Sequence, residues 1–135
     1  MPYRILNILI FTFSGLVTLA QPKITLPQYR QYTLRDGLSQ MQVLCMMQDS
    51  RGYIWIGTKA GLNCYNGKDF VCYTTSKYPQ IINDYIYNIC EDSKGRIWAS
   101  TNNGILRVNG KDIRYFHLNS NPPPAITTDN TGRLW

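Results

Sequence analysis

The stretch Gln48-Asp49-Ser50-Arg51-Gly52-Tyr53-Ile54-Trp55 recurs as Glu91-Asp92-Ser93-Lys94-Gly95-Arg96-Ile97-Trp98. It returns once more as Thr128-Asp129-Asn130-Thr131-Gly132-Arg133-Leu134-Trp135. The tryptophans stand 43 and then 37 residues apart, the length of one four-stranded unit and too short for an independent domain. Laying the two complete units over one another at the 43-residue offset leaves 11 of the 28 positions from Gln48 to Thr75 identical. The shared residues are turn formers and one aromatic, as an array requires if each unit rebuilds the same bends and the same interface with its neighbour.

Each unit divides into four short runs separated by turn signals, a pattern that excludes helical solenoids. The expected strands of the first unit are Val43 to Gln48, Tyr53 to Thr58, Gly61 to Tyr65 and Phe70 to Thr74. Those of the second are Ile86 to Glu91, Arg96 to Thr101, Gly104 to Val108 and Ile113 to His117. Asp49 and Gly52 shape the first turn, where the carboxylate accepts backbone N–H bonds and the glycine takes positive φ. Asp92 with Gly95 and Asp129 with Gly132 repeat that pairing, and Asn66-Gly67 and Asn109-Gly110 mark the last hairpin of each full unit.

Antiparallel meanders of this length, stacked side by side, make an all-β chain folded as an incomplete β-propeller. Tyr29 to Leu34 stands ahead of them as an orphan strand, of the kind that closes a propeller ring by completing its last blade. The expected organisation is an export signal at 1–20, a linker and ring-closing strand at 21–42, a first blade at 43–85, a second at 86–124 and the start of a third at 125–135. On that reading the chain is the N-terminal piece of a longer protein.

The signal is legible in Met1 to Arg4, with one positive charge, followed by the apolar run Ile5 to Ala20 ending in Thr18-Leu19-Ala20. Those 16 residues, interrupted by Asn7, fall short of the roughly 20 that span a bilayer. The net charge of +6 is scattered between the units without forming a run, so nucleic acid is not an expected partner. An acidic polysaccharide is the sharper alternative to a merely solvated basic surface. Cys45, Cys64, Cys72 and Cys90 show no C-x-x-C spacing and have only His117 for an imidazole partner, which argues against a zinc site. Buried free thiols are expected. A Cys64–Cys72 disulfide is the alternative, requiring an odd number of residues in the loop between their strands.

The motif Asp-Ser-x-Gly-x-Ile-Trp, followed by Gly57-Thr58 and Gly61-Leu62 and preceded by Asp36-Gly37-Leu38-Ser39, resembles the two-component regulator propeller repeat. The resemblance covers about Tyr29 to Trp135. It implies the periplasmic sensor region of a hybrid two-component histidine kinase, with further blades, a membrane span and a kinase region downstream, a homodimer in the full-length form, and oligosaccharides as ligands. No cofactor and no metal are expected. Departures occur at Ser100-Thr101, where the repeat has Gly-Thr, at Ile105 in place of Leu, and at Met41 in place of Asn.

The repeated residues Asp49, Gly52, Trp55, Gly61, Asp92, Gly95, Trp98, Gly104, Asp129, Gly132 and Trp135 are assigned structural work, the tryptophans between blades. Ligand contacts are expected where the links between blades, Ser76 to Tyr85 and Leu118 to Pro124, share a face with the turns at Lys59-Ala60 and Asn102-Asn103. That face would carry Lys59, Tyr78, Asn83, Tyr85, Asn102 and Asn103, an aromatic and amide set suited to sugar. The alternatives are a glycan-active propeller enzyme, such as a sialidase or lyase, and a secreted adhesin-like scaffold. Sialidase-type boxes place glycine two residues after the aspartate, whereas all three units here place it three after. No pair of carboxylates stands at a spacing that suggests glycoside hydrolysis. The mature chain is expected to begin at Gln21, and intact-mass measurement of exported protein checks this: retention of Met1 to Ala20 would instead show an anchor.

Overall fold

Eight strands form, each within one residue of its expected span at either end. β1 (Val43–Gln48), β2 (Ile54–Thr58), β3 (Gly61–Tyr65) and β4 (Phe70–Tyr73) make one four-stranded antiparallel sheet in the order β1-β2-β3-β4. β5 (Ile86–Glu91), β6 (Ile97–Thr101), β7 (Gly104–Asn109) and β8 (Asp112–His117) repeat that order in a second sheet. The computed structural model describes residues 28–118 and 125–135. The expected export signal, residues 21–27 of the linker and residues 119–124 of the second link lie outside the described residues. A third unit begins with the bridge Thr128↔Leu134, and Thr127 and Trp135 exchange backbone hydrogen bonds of 3.1 and 2.8 Å.

The turn between the first two strands of each unit is organised by its aspartate. The Asp49 Oδ1 accepts from the backbone N–H groups of Arg51 (3.0 Å) and Tyr53 (2.9 Å), and its Oδ2 accepts from the Trp55 indole Nε1 at 2.9 Å. Asp92 accepts from Lys94 N, Arg96 N and Trp98 Nε1 at 2.9, 3.0 and 2.8 Å. Asp129 accepts from Thr131 N, Arg133 N and Trp135 Nε1 at 2.9, 2.9 and 3.1 Å. Gly52 closes the first turn with φ 88°, a left-handed conformation that glycine adopts without a Cβ clash. The aspartate and the tryptophan, two separate marks in the sequence, are therefore one hydrogen-bonded unit.

The sheets pack face to face around Trp55, Leu62, Cys64, Ile86, Ile89, Ile97, Ala99, Leu106, Val108 and Ile113. Full burial of an indole removes about 150–250 Å² from water and is worth about 4–6 kcal/mol as an upper bound. Trp55 achieves this at 2% exposure, Trp98 is half-buried, and Trp135 is 66% exposed. Gly57 sits at the tightest approach: a Cβ there would lie 2.5 Å from Cys45 Sγ and 2.7 Å from Ile86 Cγ2. Gly57 pairs with Cys45, whereas in the second sheet Ser100 pairs with Asn88. The Gly-to-Ser departure thus accompanies a change of its cross-strand partner, and Ser100 is fully buried.

Glu91 ties the units together. Its carboxylate accepts from the Ser50 backbone N–H and hydroxyl at 2.7 Å each, and its carbonyl accepts from Thr128 Oγ1 at 2.7 Å. The Asp36-to-Ser39 segment docks on the first sheet through Asn63, whose Oδ1 accepts from Ser39 N at 2.8 Å, and through Thr58, whose hydroxyl lies 2.9 Å from that of Ser39. Leu38 is buried there as Ile81 is buried ahead of the second sheet.

Ahead of the first sheet, Tyr29 to Leu34 lies unpaired among the described residues, which hold no last blade for such a strand to complete, and Leu34–Asp36 is a 3-10 helix capped by Thr33. A strand needs a neighbour for its N–H and C=O groups. Here Tyr32 instead packs on Tyr65 and Phe70, with ring centroids 5.0 and 5.6 Å apart, and donates to the Tyr65 hydroxyl. The expected free thiols are found, and the alternative Cys64–Cys72 bridge is excluded. Asn66 N donates to the Asp69 carbonyl, so Gly67-Lys68 is a two-residue tip, which sets Cys64 opposite Val71 and Cys72 opposite Asn63. Adjacent positions on a strand point to opposite faces of its sheet, and all four cysteines are free.

Burial pushes all four thiols up, Cys64 and Cys90 to about 11. The folded chain should therefore react slowly with a thiol reagent at pH 8, and unfolding without reductant should release four reactive thiols. A count of two would refute the free-cysteine arrangement. Burial alone would raise the Asp49 and Asp92 carboxyls, but the indole, arginine and backbone donors outweigh it and hold both below the usual value. Their stabilisation is complete above the unfolded carboxylate value of about 3.9 and lost as pH falls through the lower folded value. Asp49→Asn should cost about 1–3 kcal/mol at pH 7. Denaturant unfolding should show that cost narrowing as the pH drops below about 4, because the protonated carboxyl loses the same charge.

Candidate binding face between the blades

The link from β4 to β5 is held in one shape by its own side chains. The Asp84 carboxylate accepts from Thr75 N at 2.7 Å and Thr75 Oγ1 at 2.9 Å, pinning the two ends of the link together. Ile81 is buried beneath it. The adjoining β2–β3 turn is anchored at its root by Thr58, whose hydroxyl accepts from Ala60 N and donates to the Gly61 carbonyl, each at 3.0 Å. Lys59 N donates to Gln40 Oε1 at 3.2 Å. Both loops are thus positioned by buried groups while their tips face solvent, the arrangement that lets a rigid scaffold present binding residues.

Three of the six residues expected on this face come together. Lys59 Nζ lies 5.6 Å from the centroid of the Tyr85 ring. Tyr85 stacks on Tyr87 at 4.4 Å, with 22° between the planes, and the Tyr87 hydroxyl donates to Asn102 Oδ1. The cluster joins the β2–β3 turn of the first sheet to the β6–β7 turn of the second. The Tyr87–Asn102 bond uses one lone pair of the amide oxygen, and the Asn102 NH₂ group makes no hydrogen bond among the described residues. Lys59 forms no ion pair among the described residues.

The other three have different places. Tyr78 turns inward and stacks on Tyr73 at 5.4 Å, which in turn stacks on Trp55 at 5.7 Å. The aromatic character that suggested a sugar platform serves the core at that position. Asn83 accepts from Tyr85 N at 2.8 Å and so shapes the entry to β5. The Asn103 carbonyl accepts from Leu118 N at 2.9 Å, and its buried Oδ1 has no hydrogen-bond partner among the described residues. Tyr87 was absent from the expected set, although strand alternation could have found it. It follows the buried Ile86, so its side chain points outward, on the same side of the strand as Tyr85 two positions earlier.

A cleft of about 150 Å³ lies on the opposite side, lined by Arg51, Tyr53, Trp55, Cys64, Tyr73, Val108 and Gly110. Burial pushes the partly buried Tyr73 phenol up to about 12 and the buried Cys64 thiol up to about 11, both further from ionisation than their ordinary values. Among the described residues no three His, Cys, Asp or Glu side chains gather where they could hold a metal ion, and no helix is long and apolar enough to cross a membrane.

Residues 37–60 and 80–103 match the two-component regulator propeller family. Over 69 residues, 51% of its length, the chain is 33% identical to a histidine kinase of Formosa agariphila, of which it spans 5%. Its structure resembles the extracellular domain of a putative hybrid two-component system from B. thetaiotaomicron. The TM-score is 0.65 at 26% identity, covering 79% of this chain and 16% of that one. The chain therefore spans a small part of the length of the relatives it matches. The recurring Asp-to-Trp unit, its four-stranded sheets and these likenesses agree: this is an all-β chain whose residues 37–60 and 80–103 match two-component regulator propeller repeats.

Proposed function

We propose that this chain is the first part of an extracytoplasmic ligand-sensing propeller, with blades at 43–85 and 86–124 and a third starting at 125. It would be exported through residues 1–20 and belong to a dimeric membrane sensor with a histidine kinase downstream. Its ligand on this reading is an oligosaccharide, held on the face that carries Lys59, Tyr85, Tyr87 and Asn102. The observation that carries the reading is the joining of two blades by this one cluster. A ligand bridging Lys59 of the first blade and Asn102 of the second favours one arrangement of the blades, and differential affinity for two arrangements is what a sensor transmits.

A binding role, in preference to catalysis by the repeated carboxylates, is supported by how those carboxylates are used. Asp49 and Asp92 each accept two backbone N–H groups, an indole N–H and an arginine. Such saturated, lowered-pKa groups are poor proton donors at neutral pH.

The test is titration calorimetry of the purified chain against a panel of oligosaccharides, with Tyr87→Ala and Asn102→Ala alongside. Each substitution should weaken binding of the active sugar by about tenfold, roughly 1.4 kcal/mol, with each variant shown to be folded at the titration temperature by its unfolding midpoint. Absence of binding across the panel, or unchanged affinity in both variants, would overturn the assignment of this face.

A further inference from the structure

We infer that the preferred ligand is anionic, a saccharide carrying a carboxylate or sulfate group that the Lys59 ammonium receives. The inference rests on the saccharide reading above and adds to it the charge of the ligand. Sugars without charge are held chiefly by a free aromatic face plus paired donors and acceptors. Tyr85 does not offer a free face of that kind: its ring is engaged both by Tyr87 at 4.4 Å and by Lys59 Nζ at 5.6 Å. Tyr78, the other aromatic of the link, is committed to the stack with Tyr73. Of the aromatic rings at this face, Tyr85 is used in positioning the ammonium and Tyr87, stacked on it, remains exposed.

What the cluster does present is a set of donors. The Asn102 amide oxygen already accepts from Tyr87, while its NH₂ group makes no hydrogen bond among the described residues and offers donors to a ligand's acceptors. Lys59 adds three N–H donors and a full charge, with no carboxylate paired to it among the described residues. The one acidic residue of the neighbouring link, Asp84, accepts two hydrogen bonds from Thr75. The remaining cation of that link, Lys77, stands exposed, and the chain as a whole carries a net +6, which favours approach of an anion. The backbone bond from Lys59 N to Gln40 Oε1 and the Thr58 anchor hold the turn in place, so little ordering is needed when the anion arrives.

The experiment compares three probes of equal length on the purified chain by titration calorimetry: an oligogalacturonide, a sulfated oligosaccharide and a neutral malto-oligosaccharide. At least one acidic probe should bind more tightly than the neutral one. Lys59→Gln should weaken that binding by about three- to fivefold, the range of an exposed ion pair, while Lys59→Arg largely restores it. Raising the ionic strength from about 0.05 to 0.5 M should weaken the acidic probe and leave the neutral one unchanged. Which acidic probe prevails separates a carboxylate from a sulfate source. Equal binding of the neutral probe, or Lys59→Gln without effect on the acidic one, overturns the anionic inference while leaving the saccharide reading standing. No binding of any probe overturns both. An unchanged unfolding midpoint in Lys59→Gln shows that the readout is binding, not folding.

Discussion

The carboxylate that bends each unit also holds its tryptophan. Asp49 uses one oxygen to satisfy two backbone N–H groups of the turn and the other to satisfy the indole N–H six residues later. Removing the carboxylate would leave a buried indole N–H and two turn amides without acceptors, each costing about 1–3 kcal/mol when buried. This is why the six-residue spacing from aspartate to tryptophan is the same in all three units while residues between them change. The turn, the direction of β2 and the orientation of the indole follow from one side chain.

That unit prepares a surface which only a neighbour can cover. Trp55 is buried where the second sheet stands beside it, and the same residue in later units is progressively more exposed. Close approach is obtained by removing atoms at Gly57 and by adding a hydrogen-bonded strap at Glu91, which holds the Ser50 turn of the preceding unit. Stability in such an array is a sum of units and nearest-neighbour interfaces. A change at Ile86 or Glu91 therefore acts on the joint between blades more than on either blade alone.

The loop face depends on this frame. Lys59 and Asn102 belong to different blades, and the distance between their turns is set by the packing of Ile86 against Gly57. Tyr87 reaches Asn102 because β5 pairs with β6, Ile86 opposite Thr101, which sets the tyrosine beside the β6–β7 turn. Rigidity below and exposure above give a face whose charge and donors are arranged before any ligand is present.

Strand number, strand order and turn positions were legible because period, turn residues and apolar runs act locally, over a handful of neighbouring residues. The two-residue tip at Gly67-Lys68 was written in the repeated Asn-Gly-Lys-Asp, yet the parity it imposes on Cys64 and Cys72 needed the actual pairing of β3 with β4. The fate of Tyr29 to Leu34 was not local, since a strand exists only where a partner lies alongside. On the candidate face, Lys59, Tyr85 and Asn102 were named from loop positions, whereas Tyr78 was misplaced and Tyr87 missed. Whether a tyrosine in a link turns outward to solvent or inward onto Tyr73 is decided by the space between two packed sheets. The sequence by itself determined the repeated unit and its bends, through hydrogen bonds within a few residues. Tertiary structure alone decided which aromatic rings were left at the surface, because that choice is made by contacts between residues far apart in the chain.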